Sequence, residues 1–159
     1  MTTARWHVAR WSAPAWAETG IKLAAVGVAL RALGGASPAD SWTGPALATF
    51  GILALLSLGL LAAIWDRLVE REVVAAVFVV LNNVGHWSAL ARLAGTRSLT
   101  ASLGAFTALM LAGDLIKVVT IRTEGIAVRD ASANVLVSLT SLYAAGYAAI
   151  LVLHLVSRG

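Results

Sequence analysis

Apolar residues run in long blocks along the chain, broken by short polar stretches. Five blocks fall at 15–33, 44–65, 73–93, 99–119 and 133–156. Each is close to the ~20 mostly apolar residues that a helix needs to cross a hydrocarbon core. The pattern predicts an all-α fold, a polytopic transmembrane helix bundle of five spans forming one domain over residues 1–159. Local signals mark the ends. Pro45 falls in the first turn of the second block, where a missing N–H costs nothing. Gly95 ends the third block, Ser98 precedes the fourth as an N-cap, and Asp130 and Ser132 precede the fifth.

The breaks are short. Residues 34–43 hold Gly, Ser, Pro and Asp and read as a loop. Residues 66–72 are charged, and the Asp66/Glu70 and Arg67/Arg71 spacing suits a helix running out into water. Residues 94–98 form a tight turn, and 120–132 is the longest polar stretch between spans. The first block carries Glu18, Lys22 and Arg31, so four spans with an interfacial first helix is the alternative. No internal repeat is visible, and an odd span count argues against a simple inverted-repeat transporter.

Composition reinforces the bilayer reading. Charged residues make up 13% of the chain, about half of the ~25% usual in soluble domains. The absence of cysteine excludes disulfides, thiolate metal sites and cysteine nucleophiles. A net charge of +4 raises the question of a nucleic-acid partner. The basic residues, however, stand singly at block ends and form no basic run, so no nucleic acid is expected.

Those same residues orient the chain. Arg5, Arg10, Lys22, Arg67, Arg71, Lys117, Arg122 and Arg129 lie on one side, against Arg31, Arg92, Arg97 and Arg158 on the other. The positive-inside rule then puts the N-terminus in the cytoplasm and the C-terminus outside, in a multi-pass cell-membrane protein. Trp6, Trp11, Trp16, Trp42 and Trp65 fall at or near block ends, as interfacial rings do, whereas Trp87 lies inside the third block. Glu18 and Lys22 interrupt the first block, which therefore does not read as a cleavable signal peptide.

Ionisable groups inside spans are costly and therefore face partners or function. At 1.5 Å per residue, Lys22 and Asp114 lie roughly 5 and 6 Å on the cytoplasmic side of their span centres, and Glu18 and Lys117 about 10 Å. The matched depths predict that spans one and four touch, with Lys22 facing Asp114 and Glu18 facing Lys117. Such a network has zero net charge and could serve only to fix helix register. Equally, one of its carboxylates could give or take protons at a ligand site.

The third block reads LNNVGHWSAL. Asn82 and His86 share one face, and Asn83 and Trp87 the adjacent one, which makes a polar-aromatic stripe at mid-membrane. That is more hydrogen-bonding capacity than packing needs and points to the wall of a polar cavity. In the fifth block Tyr143 is placed to complete that cavity opposite His86, with Thr140, Tyr147 and His154 on the same stripe and Asn134, Ser138 and Ser141 on another. His7 and His154 lie near the surfaces and carry no expected role. The second block is almost featureless and should face lipid. Small residues at Gly104/Ala108/Ala112 and Ala144/Ala148 should let spans four and five pack closely.

No phosphate-binding glycine loop, HExxH motif or GxSxG elbow occurs, and no metal-ligand cluster has suitable spacing. A bis-histidine haem would need a second deep histidine. No cofactor or metal is expected.

Three functions remain. The first is a buried polar cavity for a hydrophobic small molecule, with cofactor-free acid–base chemistry such as isomerisation or cyclisation. Asp114, Glu18 and His86 would be its catalytic groups, and Asn82, Asn83, Trp87, Tyr143, Lys22 and Lys117 its ligand-binding ones. The second is an accessory or assembly subunit of a larger membrane complex. The third is a small proton-coupled carrier, working as a homo-oligomer. Membrane lipids are partners in every case.

Overall fold

The computed structural model describes residues 11–35, 42–69, 73–124 and 132–158. They form five helices: α1 (Ala13–Gly34), α2 (Thr43–Val69), α3 (Val73–Thr96), α4 (Ala101–Glu124) and α5 (Ala133–Val156). No strand occurs among the described residues. The expectations resting on Arg5, Trp6, His7, Arg10, Glu70, Arg71, Arg129 and Asp130 lie outside these residues.

Local chemistry explains most of the boundaries. Ser12 caps α1, its hydroxyl accepting from the Ala15 N–H at 3.3 Å, and Pro14 sits in the first turn. Ser132 caps α5 in the same way through the Val135 N–H at 3.4 Å. Two end signals act differently from the sequence reading, and α4 runs five residues past 119, to Glu124. Gly95 does not end α3. The helix runs one residue further, and Arg97 takes the left-handed conformation at φ 51°, its N–H donating to the Leu93 carbonyl at 2.7 Å. The carbonyl of Arg97 in turn accepts from the Thr43 hydroxyl, which ties the start of α2 to this turn. Ser98 does not cap α4. Thr100 does, accepting from the Leu103 N–H at 3.4 Å, so α4 starts at Ala101.

Four helices, α2 to α5, are long and apolar enough to cross a membrane, and the chain is an integral, multi-pass membrane protein. At 22 residues, α1 is about 33 Å long, but Glu18, Lys22 and Arg31 set it apart from the others. It makes the most extensive helix contact in the bundle, with α4, and packs next on α3.

The principal contacts among the described residues form a closed circuit, α1–α4–α5–α2–α3–α1. Where two helices approach most closely, glycine makes the room. A Cβ on Gly85 of α3 would lie 2.8 Å from the Val26 methyl of α1, and one on Gly146 of α5 would lie 2.8 Å from Leu53 of α2. Of the small residues expected between α4 and α5, Gly104 lies against His154, whereas Ala108 is exposed.

The inside of the circuit is strongly asymmetric. Phe50, Leu53, Leu93, Leu99, Leu103, Phe106 and Ile150 fill the half that holds the α3–α4 turn. The half that holds the start of α1 buries Glu18, Thr19, Lys22, Asp114, Thr120 and Thr140 instead. The outer surface is apolar, and α2 presents Ile52, Leu55, Leu58 and Leu60 outward, as its featureless sequence implies. Trp16, Trp42 and Trp65 are roughly half exposed near helix ends, suited to a headgroup zone, and Trp11 packs tilted against Trp16 with ring centroids 5.0 Å apart.

Candidate functional site

The circuit brings α1 alongside α4 with both charged segments at one level. Lys22 Nζ lies 2.6 Å from Asp114 Oδ1 and 2.9 Å from Glu18 Oε1. Lys117 Nζ lies 3.8 Å from the same Glu18 oxygen. The cross-helix pairs are those expected from matched depths. Lys22, Glu18 and Asp114 are buried, while the side chain of Lys117 is 39% exposed. Lys22 reaches the pair because α4 has Gly113 opposite its stem. A Cβ at Gly113 would lie 2.8 Å from Lys22 Cγ.

In a low-dielectric setting a buried charge needs a partner for each of its polar atoms. Asp114 meets this need only in part. Its Oδ1 is held by Lys22, but its buried Oδ2 has no hydrogen-bond partner among the described residues. The same holds for Oδ1 of Asn82 and Oδ1 of Asn83. These are acceptors left open inside the bundle.

At mid-bundle, His86 is fully buried and bridges α3 to α5. Its Nδ1 lies 2.7 Å from the backbone carbonyl of Asn82, which can only accept, so Nδ1 carries the hydrogen. The Nε2 of the neutral ring then accepts from the Tyr147 hydroxyl. Around this bond sits an aromatic layer. The His86 ring is 5.9 Å from Phe106 and 6.2 Å from Tyr143, and Phe106 is 5.9 Å from Phe50. The layer separates the apolar half of the bundle from the charged half.

Asn82 sits one helical turn from His86 on the charged side.

Three of the expected site residues take different places. Asn83 points away from this cluster. It joins α3 to α2, its Nδ2 donating to the Ser57 carbonyl at 3.2 Å and to the Val79 carbonyl at 3.1 Å. Trp87 is 38% exposed on the outer surface, because a step of 100° per residue turns it away from His86. Tyr143 is half-buried beside the His86 ring, but the hydroxyl that bonds His86 belongs to Tyr147. Depth could have chosen between the two tyrosines. Tyr147 and His86 lie roughly 4 Å and 2 Å past the centres of their helices in the same direction, whereas Tyr143 lies about 2 Å short. His154, in the last turn of α5, is buried against Gly104.

Two surface grooves accompany the bundle. One, of about 430 Å³, runs over α3 between α1 and α2 and includes Asn83 and Trp87. The other, of about 290 Å³, lies where Pro14 of α1 meets Leu115 and Val119 of α4. Neither is lined by His86 or Asp114. No group of three or more His, Cys, Asp or Glu side chains among the described residues could hold a metal ion. No protein-family model, no curated protein and no solved structure matches this chain.

Proposed function

We propose that the protein binds a hydrophobic small molecule in the charged half of its bundle and carries out cofactor-free acid–base chemistry on it, an isomerisation or a cyclisation. The observation that carries this reading is the open acceptor on Asp114. Its Oδ1 is neutralised by Lys22 while its buried Oδ2, without a partner among the described residues, is available for a proton. A carboxylate kept away from water in this way is a suitable general base or acid.

Asp114 takes a proton from the substrate and the proton returns at a different carbon, so no cofactor or redox partner is needed. Glu18 holds Lys22 in place from the other side, and Lys117 offsets the charge of Glu18. The Tyr143 hydroxyl orients the substrate above Asp114, with Asn82 Oδ1 as a second acceptor, and His86, both of whose ring nitrogens are bonded, holds the aromatic layer behind it. The apolar half closes the site on one side. With the N-terminus in the cytoplasm, access is from the cytoplasmic leaflet.

One observation favours a second reading, a subunit of a larger membrane assembly or a homo-oligomer. Asn134, Ser138 and Ser141 are exposed on α5, on the face turned away from the circuit, where a neighbouring helix could meet them.

Native mass spectrometry of the protein released from mild detergent separates the two. The acid–base reading expects a discrete hydrophobic ligand on the wild type and none on a His86→Ala/Asp114→Asn double variant. A ligand-free wild type that travels as an oligomer, or together with other proteins, would replace it with the subunit reading.

A further inference from the structure

The four charged side chains form a line as well as a cluster. Lys117, Glu18, Lys22 and Asp114 follow one another at 3.8, 2.9 and 2.6 Å, and a single oxygen, Glu18 Oε1, faces both lysines. Along that line the side-chain exposure falls from 39% at Lys117 to 11, 6 and 5% at the others. The line starts at the surface and ends at the carboxylate to which the acid–base reading gives the chemistry.

Helix registry explains the inner end of this line but not the outer one. The Lys22–Asp114 pair already joins α1 to α4, and an exposed pair such as Lys117–Glu18 adds only about 0–1 kcal/mol. Position gives Lys117 a different use. Trp16, 46% exposed and suited to the headgroup zone, stands two residues before Glu18 on α1, about 3 Å nearer the helix start. A lysine at this depth reaches headgroup water with its ammonium while its methylenes stay in hydrocarbon. The 3.8 Å separation from Glu18 is an ion pair rather than a hydrogen bond, so the ammonium is not fixed there. Rotation about the flexible stem carries it between Glu18 Oε1 and water.

We propose that Lys117 is the proton port of Asp114, exchanging protons between cytoplasmic water and the buried carboxyl through Glu18 and Lys22. The Lys117 ammonium gives a proton to the Glu18 carboxylate, and Lys22 gives one to Asp114. Protonated Glu18 then restores the Lys22 ammonium, and the Lys117 amine takes a proton from water. One proton has passed from water to Asp114, and the other three groups end as they began; the reverse order discharges Asp114. Each internal transfer turns an ion pair into a neutral pair or back, so none leaves a lone charge in hydrocarbon. The relay rests on the acid–base reading for its purpose, but its proton exchange runs without a substrate.

Exchange at Lys22 tests the relay in the ligand-free protein. Lys22 and Lys117 are the only lysines in the chain, so nitrogen-15 lysine labelling in lipid nanodiscs leaves Lys22 as the single ammonium signal once Lys117 is replaced. Its rate of hydrogen-for-deuterium exchange is followed after transfer to heavy water, and its chemical shift checks that the Glu18–Lys22–Asp114 cluster is intact. Lys117→Met should slow that exchange about a hundredfold relative to wild type, the low end of what a positioned proton-transfer group contributes. Lys117→Arg keeps the charge beside Glu18 but does not give up its proton, so it should be as slow as Lys117→Met. An unchanged or faster rate in Lys117→Met, as an opened water path would give, or a wild-type rate in Lys117→Arg, would overturn the inference. The acid–base reading fails on different data, the absence of a bound ligand, which leaves these rates as they are.

Discussion

Removing Lys22 should damage the protein far more than removing Lys117, although both are lysines of one network. In a Lys22→Met variant, Asp114 loses its 2.6 Å partner and stays 4% exposed as a carboxylate with no other partner among the described residues. Breaking a buried pair from one side typically costs about 3–5 kcal/mol. Lys117 is 39% exposed and 3.8 Å from Glu18, and Glu18 keeps Lys22, so Lys117→Met should cost about 0–1 kcal/mol. Asp114→Asn should fall between, because Lys22 retains Glu18 at 2.9 Å. The double variant Lys22→Met/Asp114→Leu removes both charges and leaves the Glu18–Lys117 pair. It should recover most of the loss, giving a coupling of about 2–3 kcal/mol between the two sites. Each stability is read from unfolding in mixed micelles with increasing dodecyl sulfate, followed by circular dichroism. Equal losses for Lys22→Met and Lys117→Met, or a double variant that costs the sum of its singles, would refute the reasoning.

Other consequences follow from the packing and the turn. Gly85→Ala should destabilise by about 1–3 kcal/mol, because its Cβ would lie 2.8 Å from a Val26 methyl and 3.4 Å from the Val26 Cα, and that backbone cannot move aside cheaply. Gly59→Ala, with open space around it, should be neutral or slightly stabilising in the same unfolding assay. Arg97→Gly should stabilise by up to about 1 kcal/mol, since glycine takes a φ of 51° without a Cβ penalty. Tyr147→Phe should cost about 1–3 kcal/mol by leaving His86 Nε2 buried without its donor. Nitrogen-15 spectra should show the Nδ1–H tautomer of His86 in wild type, and an Nε2–H tautomer there would contradict the assigned hydrogen bond.

Much of this architecture is written in the hydrophobic pattern, because a span needs a fixed length of apolar sequence whatever it packs against. The bounds of α5 and the Ser132 cap follow from local residues alone. So does the Lys22–Asp114 pair, since charges in hydrocarbon must find a partner at their own depth. The turn after α3 was not legible. Arg97 is an unusual left-handed residue, held by a local bond to Leu93 and by the Thr43 hydroxyl, and the second of these depends on the tertiary fold. The places of Asn83 and Trp87 in the bundle were not legible for a related reason. A stripe of polar residues shows which positions share a helix face, but not which neighbour that face meets. The circuit order, with α1 between α3 and α4, decides that, and helix periodicity does not encode it. The choice of Tyr147 over Tyr143 was within reach of the depth argument that placed Lys22 opposite Asp114.

The central claim is that Asp114 moves protons on a lipid-soluble molecule. The most direct measurement incubates the purified protein in heavy water with a lipid-soluble extract and follows deuterium in the extracted compounds by mass spectrometry. Proton abstraction and return should mark at least one compound with deuterium in the presence of wild type and leave it unmarked with Asp114→Asn. Identical deuterium patterns for wild type, Asp114→Asn and a protein-free control would contradict the claim.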